Sequence, residues 1–195
     1  MPVPSAALVE LEVRYMKIIV LLISALVLAA SHAFGLSPYA GEELRLIKSL
    51  SPEEIESLRA GEGMGFAKLA ELNGFPGPKH VLELAGRLAL SPTQLAKTEA
   101  LFEEMQTMAV ALGEELLEAE MGLDHDFSKG AITPGSLESA LTEIARIRAQ
   151  LRYVHLAAHL RQKRLLSTDQ IAKYAEFRGY RLAEHDHEGH PKSQN

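Results

Sequence analysis

The sequence predicts an all-α protein: a long antiparallel helical hairpin with shorter flanking helices. Three observations predict it. Leu, Ile, Met and Ala dominate the apolar residues, Trp is absent and aromatics make up 6% of 195 residues, a composition that favours helix. Two long stretches repeat apolar residues at three- and four-residue steps. Lastly, "LSPTQLAK" (Leu90 to Lys97) returns as "LSTDQIAK" (Leu166 to Lys173).

The elements follow in order. Residues 1–33 read as an upstream extension plus a secretory signal, with Met16 an alternative start. From Met16 the chain has one positive charge at Lys17, an apolar run from Ile18 to Ala30, and small residues at Ser31 and Ala33. This layout predicts export and cleavage after Ala33. The run is shorter than the ~20 residues a membrane span needs; an uncleaved inner-membrane anchor is the alternative. Residues 34–80 read as short helices and loops. One helix is expected from Pro38 to Leu50 and another from Ser51 to Ala60, with a break at Gly61 to Gly65. Phe66 to Leu72 reads as a helical turn or two, and Asn73 to Pro78 as a loop. Residues 81–180 form the main helical domain. The stretch Lys79 to Leu90, with apolar positions at Val81, Leu84 and Leu88, reads as a helix leading to Leu90, and a long helix runs from Ser91 to about Met121. Gly122 to Ser136 connects it to a second long helix, about Pro134 to Leu165, and a last helix starts at Ser167. The polar tail, residues 181–195, is expected to be disordered.

The repeated motif has a physical reading. With Ser91 at the N-cap, its hydroxyl accepts from the Gln94 N–H while the Gln94 side chain accepts from the Ser91 N–H, a capping box. Pro92 then occupies the first helical position, where no N–H is needed. Ser167 and Gln170 fit the same scheme, as do Ser51 and Glu54 in "LSPEEI" (Leu50 to Ile55). Each cap should contribute ~1 kcal/mol. Charge divides the two long helices. Ser91 to Met121 holds one Lys and seven Glu, whereas Leu137 to Leu166 holds six Arg or Lys and two Glu. That asymmetry supports side-by-side pairing, or leaves a basic face free for a partner.

With its secretory signal, absence of Cys, two Leu-Ser-x-x-Gln motifs and long helices between them, the chain resembles the Spy/CpxP family of periplasmic proteins. That family's hallmark is a repeated Leu-Thr-x-x-Gln, and the match covers Leu90 to Tyr180 with Ser in place of Thr. The resemblance implies an all-helical, envelope-stress-related periplasmic protein, often an antiparallel dimer shaped as a shallow cradle. Some relatives are ATP-independent chaperones; others are metal-binding accessory or sensor proteins. In the first case unfolded periplasmic proteins are the partners. The basic stripe Arg146, Arg148, Arg152, Arg161, Lys163 and Arg164 would hold them, together with apolar side chains. Met105 and Met108 either join that surface or pack in the core. In the second case the partner is an inner-membrane sensor.

The metal reading rests on His155 and His159, four residues apart on one helix, a spacing that can chelate Zn²⁺, Ni²⁺ or Cu²⁺. A third ligand must come from elsewhere: His80, Glu83 or a Met of the preceding helix. The competing reading packs His155 at the helix interface and leaves His159 in solvent. Asp124-His125-Asp126 reads as an ordinary loop cluster, and the tail's His185, His187 and His190 as loose metal capture or an inert end. No Glu falls inside the His pair, so it is not the HExxH protease pattern, and "GEGMG" lacks the Lys-Ser/Thr of a phosphate loop. The sequence thus reads as that of a non-enzyme. A net charge of −6 gives nucleic acid no footing.

Overall fold

The computed structural model describes residues 14–16 and 37–180, and among these every regular element is helical. The expected signal segment beyond Met16 and the tail histidines His185, His187 and His190 lie outside the described residues. Among the described residues no helix is long and apolar enough to cross a membrane. The chain divides into two units, Met1–Leu44 and Arg45–Asn195. In the first, residues 37–44 form turns and a 3-10 helix, Glu42–Leu44. The continuous helix expected from Pro38 to Leu50 does not form. Gly41 adopts φ +93°, a left-handed conformation that stops a right-handed helix.

The second unit contains α1 (Pro52–Arg59), α2 (Lys68–Leu72), α3 (Pro78–Glu83), α4 (Pro92–Ser128), α5 (Pro134–Leu165) and α6 (Thr168–Phe177). Four of these helices are closed at their N-termini, and four at their C-termini, by local chemistry. Ser51, Thr133, Ser91 and Ser167 each form a capping box with the residue three positions on. At the C-termini, Gly61, Gly74, Gly130 and Gly179 all take positive φ. After each glycine the next N–H reaches back to the helix, as when Ala131 donates to the Asp126 carbonyl at 2.9 Å and Tyr180 to that of Ala175 at 2.8 Å. These are Schellman closures.

Two boundaries differ from the sequence expectation. The helix expected to run to Leu90 stops at Glu83; the chain passes through turns and Ala89 sits at φ +49°. The first long helix continues through Gly122 to Ser128, so the connection is five residues, Lys129 to Thr133, and Asp124-His125-Asp126 is helical. A single helical Gly costs only ~1 kcal/mol. Here Leu123 packs on the core and the Asp124 carboxylate accepts from Lys48 Nζ at 3.0 Å, which together hold the extra turns.

The main core lies where Ile47, Leu50, Ile55 and Leu58 meet Leu116 and Leu117 of α4 and Ile144, Ile147 and Leu151 of α5. Leu101 and Met105 pack with Ala158 farther along. Cross-links between the long helices pair Gln94 with Leu165, Thr98 with Gln162, Glu104 with Arg161 and Glu120 with Arg148.

Candidate functional site

The two Leu-Ser-x-x-Gln motifs meet in space. Gln94 Nε2 donates to Gln170 Oε1 at 2.8 Å, and Gln170 Nε2 donates back to Gln94 Oε1 at 3.1 Å. Each amide also completes its own cap and reaches a neighbouring carbonyl: Gln94 that of Leu165 at 2.8 Å, Gln170 that of Leu88 at 3.2 Å. The repeat is therefore a clasp joining the starts of α4 and α6. The third copy stands apart. Glu54 accepts from the Ser51 N–H at 2.8 Å, and a carboxylate has no N–H to offer a partner.

Four of the six basic residues are engaged inside the chain. Arg161 forms a fork with Glu104 at 2.8 Å, Arg148 donates to Glu120 at 2.7 Å, and Arg146 binds Glu143 with Glu115 at 3.8 Å. Lys163 Nζ lies 3.8 Å over the Phe75 ring, a cation–π contact. Arg152 and Arg164 are exposed and make no ion pair among the described residues.

His80, His155 and His159 line one cavity of about 200 Å³ between α4, α5 and the loops around Gly61 and Gly77. His155 is 3% exposed and His159 9%, so the solvent-facing position expected for His159 is not what the fold gives it. The reason is a third layer. The segment after α2 covers α5 from a second side, and the Phe75 carbonyl stands 2.7 Å from His159 Nδ1. His155 stacks on Phe66 with ring centroids 5.9 Å apart, and its buried Nε2 has no hydrogen-bond partner. His80 Nδ1 is 3.0 Å from Glu83 Oε2. Among the described residues no three His, Asp or Glu side chains are grouped to hold a metal ion.

A polar cluster without a sequence signature lies beside this cavity. Glu71 Oε1 accepts from the Tyr174 hydroxyl and, at 3.3 Å, from that of Tyr180, with Arg178 Nε 3.5 Å away. Burial first, and then the Glu71 carboxylate, push the Tyr174 phenol well above its usual range, so it stays a donor at any physiological pH. The cluster ties α2 to α6 through residues more than a hundred positions apart.

Burial, then the neighbouring His159, hold the His155 imidazole below its ordinary 6.5. The folded chain thus takes up that proton less readily than the unfolded chain. Stability should be full well above pH ~6.5 and fall as pH drops below it, until the depressed folded-state value is passed. Urea unfolding between about pH 8 and 5.5 measures this. His155→Phe should flatten the slope; an equally steep slope in the variant removes His155 as its source.

No family model, curated protein or solved structure matches the chain.

Proposed function

We propose that the chain is a periplasmic envelope-stress protein of the Spy/CpxP type. It would be an antiparallel helical hairpin, paired with a second copy, that binds unfolded clients as an ATP-independent chaperone. The observation that carries this reading is a second apolar face on α5. One face packs on α4 through Ile144, Ile147, Leu151 and Ala158. The other carries Leu141, Ala145, Ala149, Tyr153, Leu156 and Leu160 at three- and four-residue steps. Of these, Tyr153 is 71% and Leu160 51% exposed.

Towards its C-terminal end this stripe opens into a groove of about 380 Å³ formed with Leu69, Ala70 and Phe75. Leu69 is 61% exposed and Leu72 is exposed beside it. Contiguous exposed apolar surface of this kind marks interaction sites in soluble proteins. The unpaired Arg152 and Arg164, with Lys163 at the groove, favour clients that are apolar and acidic. Met108 is exposed on α4 whereas Met105 is buried, so only Met108 is available as an adaptable contact.

The test is light scattering of a denatured acidic client at stoichiometric protein. Suppression of aggregation is expected for the wild type and should be lost in Leu160→Glu. That replacement is at an exposed position, so its unfolding midpoint should stay near the wild-type value. Absence of suppression by the wild type, or full suppression by Leu160→Glu, would overturn the reading.

A further inference from the structure

The exposed stripe of α5 is shaped for one backbone conformation. From Leu141 to Leu160 it follows a single unbroken helix, about 30 Å of surface at ~1.5 Å per residue. Ala145 and Ala149 are exposed and leave its middle shallow, each contributing one methyl group. Its C-terminal end is a notch, the groove of about 380 Å³ lined by Leu156 and Leu160 with Leu69, Ala70 and Phe75. Small residues let the axis of a second helix approach closely, and a notch beyond them takes one large anchoring side chain.

An extended segment finds less to bind here. Segments held as strands take much of their affinity from main-chain bonds to an open sheet edge, and among the described residues there is no strand. The N–H and C=O groups along α5 are used within the helix. The backbone of an extended chain laid over Ala145 and Ala149 would find no partner there. A helix brings its own hydrogen bonds with it.

Charge places the acids of that helix. With Leu156 as reference and ~100° per residue, Arg152 stands about 40° to one side and Arg164 about 80° to the other. Both are exposed, without an ion pair among the described residues. A helix seated between them meets a cation on each flank. A second copy crossing at the middle of the stripe would bring its own Arg152 against this one, and like charges so placed disfavour self-pairing on this face.

We infer that this face, on the client-binding reading from which it starts, takes its partner as an amphipathic α-helix with acidic residues along both edges of the apolar side.

The probe is a labelled synthetic peptide of about twenty residues, with Leu at three- and four-residue steps, Glu on both flanks, and enough Ser to be largely unfolded alone. One companion carries a central Pro, another has Lys in place of Glu. The Glu peptide should bind the full chain by fluorescence anisotropy and gain helical circular dichroism as it does. The Pro peptide should bind more than about tenfold more weakly, since an interior Pro breaks the helix. Ala149→Phe, at an exposed position, should weaken the Glu peptide about tenfold by holding the axes apart, with the unfolding midpoint unchanged. Arg152→Glu combined with Arg164→Glu should reverse the preference between the Glu and Lys peptides. Leu160→Glu should leave the oligomeric state as it is. Equal affinity for the Glu and Pro peptides, or binding without a gain in helix, overturns the inference. So does binding to phosphatidylglycerol vesicles with none to the peptides, which makes the stripe a membrane face. A dimer that dissociates in Leu160→Glu overturns it too, by putting a second copy there. Suppression of client aggregation that persists while the peptides fail removes the helical inference alone. Peptides bound as expected by a chain that suppresses no aggregation remove the chaperone reading alone.

Discussion

Gly113→Ala is expected to destabilise the protein by about 2–3 kcal/mol, although Ala is intrinsically better than Gly in a helix by ~1 kcal/mol. Gly113 is buried in α4 where α1 crosses it. A Cβ there would stand 2.4 Å from the Leu58 carbonyl oxygen and 3.0 Å from its carbon. Both are backbone atoms, so no rotamer change relieves the clash. Either α1 lifts from α4 or the Leu58 carbonyl turns, and both disturb the cluster of Ile55, Leu58, Leu116 and Leu117. The control is in the same helix. Gly122 is exposed and an added Cβ meets nothing within 4 Å, so Gly122→Ala should stabilise by about 0.5–1 kcal/mol. Urea midpoints moving in opposite directions for the same substitution are the expected result. A neutral or stabilising Gly113→Ala would show that α1 does not press on α4 at that point.

Three of the four capping boxes were legible because such a box is settled within four residues; the fourth, at Thr133, carries Ser136 where the others carry Glu or Gln and does not share their signature. Ser51, Ser91 and Ser167 need only their own helix starts to choose their partners. The end of α4 was not legible for the converse reason. "GLDHDFSKGAITPG" offers Gly122, Gly130 and Gly135 as stopping points, and only Gly130 takes the left-handed conformation. What passes the helix over Gly122 is the packing of Leu123 and the pairing of Asp124 with Lys48, seventy-six positions away. His159 was misplaced because a helical wheel with one partner helix has only one buried side, whereas α5 is covered by α4 and again by the Phe75 segment. Glu71 with Tyr174, Arg178 and Tyr180 carries no periodic signal at all; the fold alone brings them together. The second apolar stripe of α5 was present as Leu141, Ala145, Ala149, Tyr153, Leu156 and Leu160, but a sequence pattern does not say which of two apolar faces is left exposed.

Gln94→Glu should cost about 3 kcal/mol, while Glu54→Gln should change stability by no more than about 0.5 kcal/mol. The two substitutions exchange the same pair of side chains at the same position of a capping box. In Gln94→Glu the cap survives, because a carboxylate oxygen still accepts from the Ser91 N–H. What disappears is the donation of Gln94 Nε2 to the Leu165 carbonyl and to Gln170 Oε1, both at 2.8 Å. The new carboxylate then faces two acceptors in a half-buried position. Glu54 has no such neighbours: its side chain is exposed and serves only its own helix start. Coupling adds a second measurement. Gln94→Ala and Gln170→Ala should each cost about 1–3 kcal/mol, and the double variant should cost less than their sum by roughly 1 kcal/mol, since either single change already leaves the other amide short of a partner. Strict additivity, or a Gln94→Glu no worse than Glu54→Gln, would reduce the repeated motif to three independent helix starts. The predicted asymmetry would instead make two of its copies one device, in which the end of α5 and the starts of α4 and α6 are held by a single pair of amides.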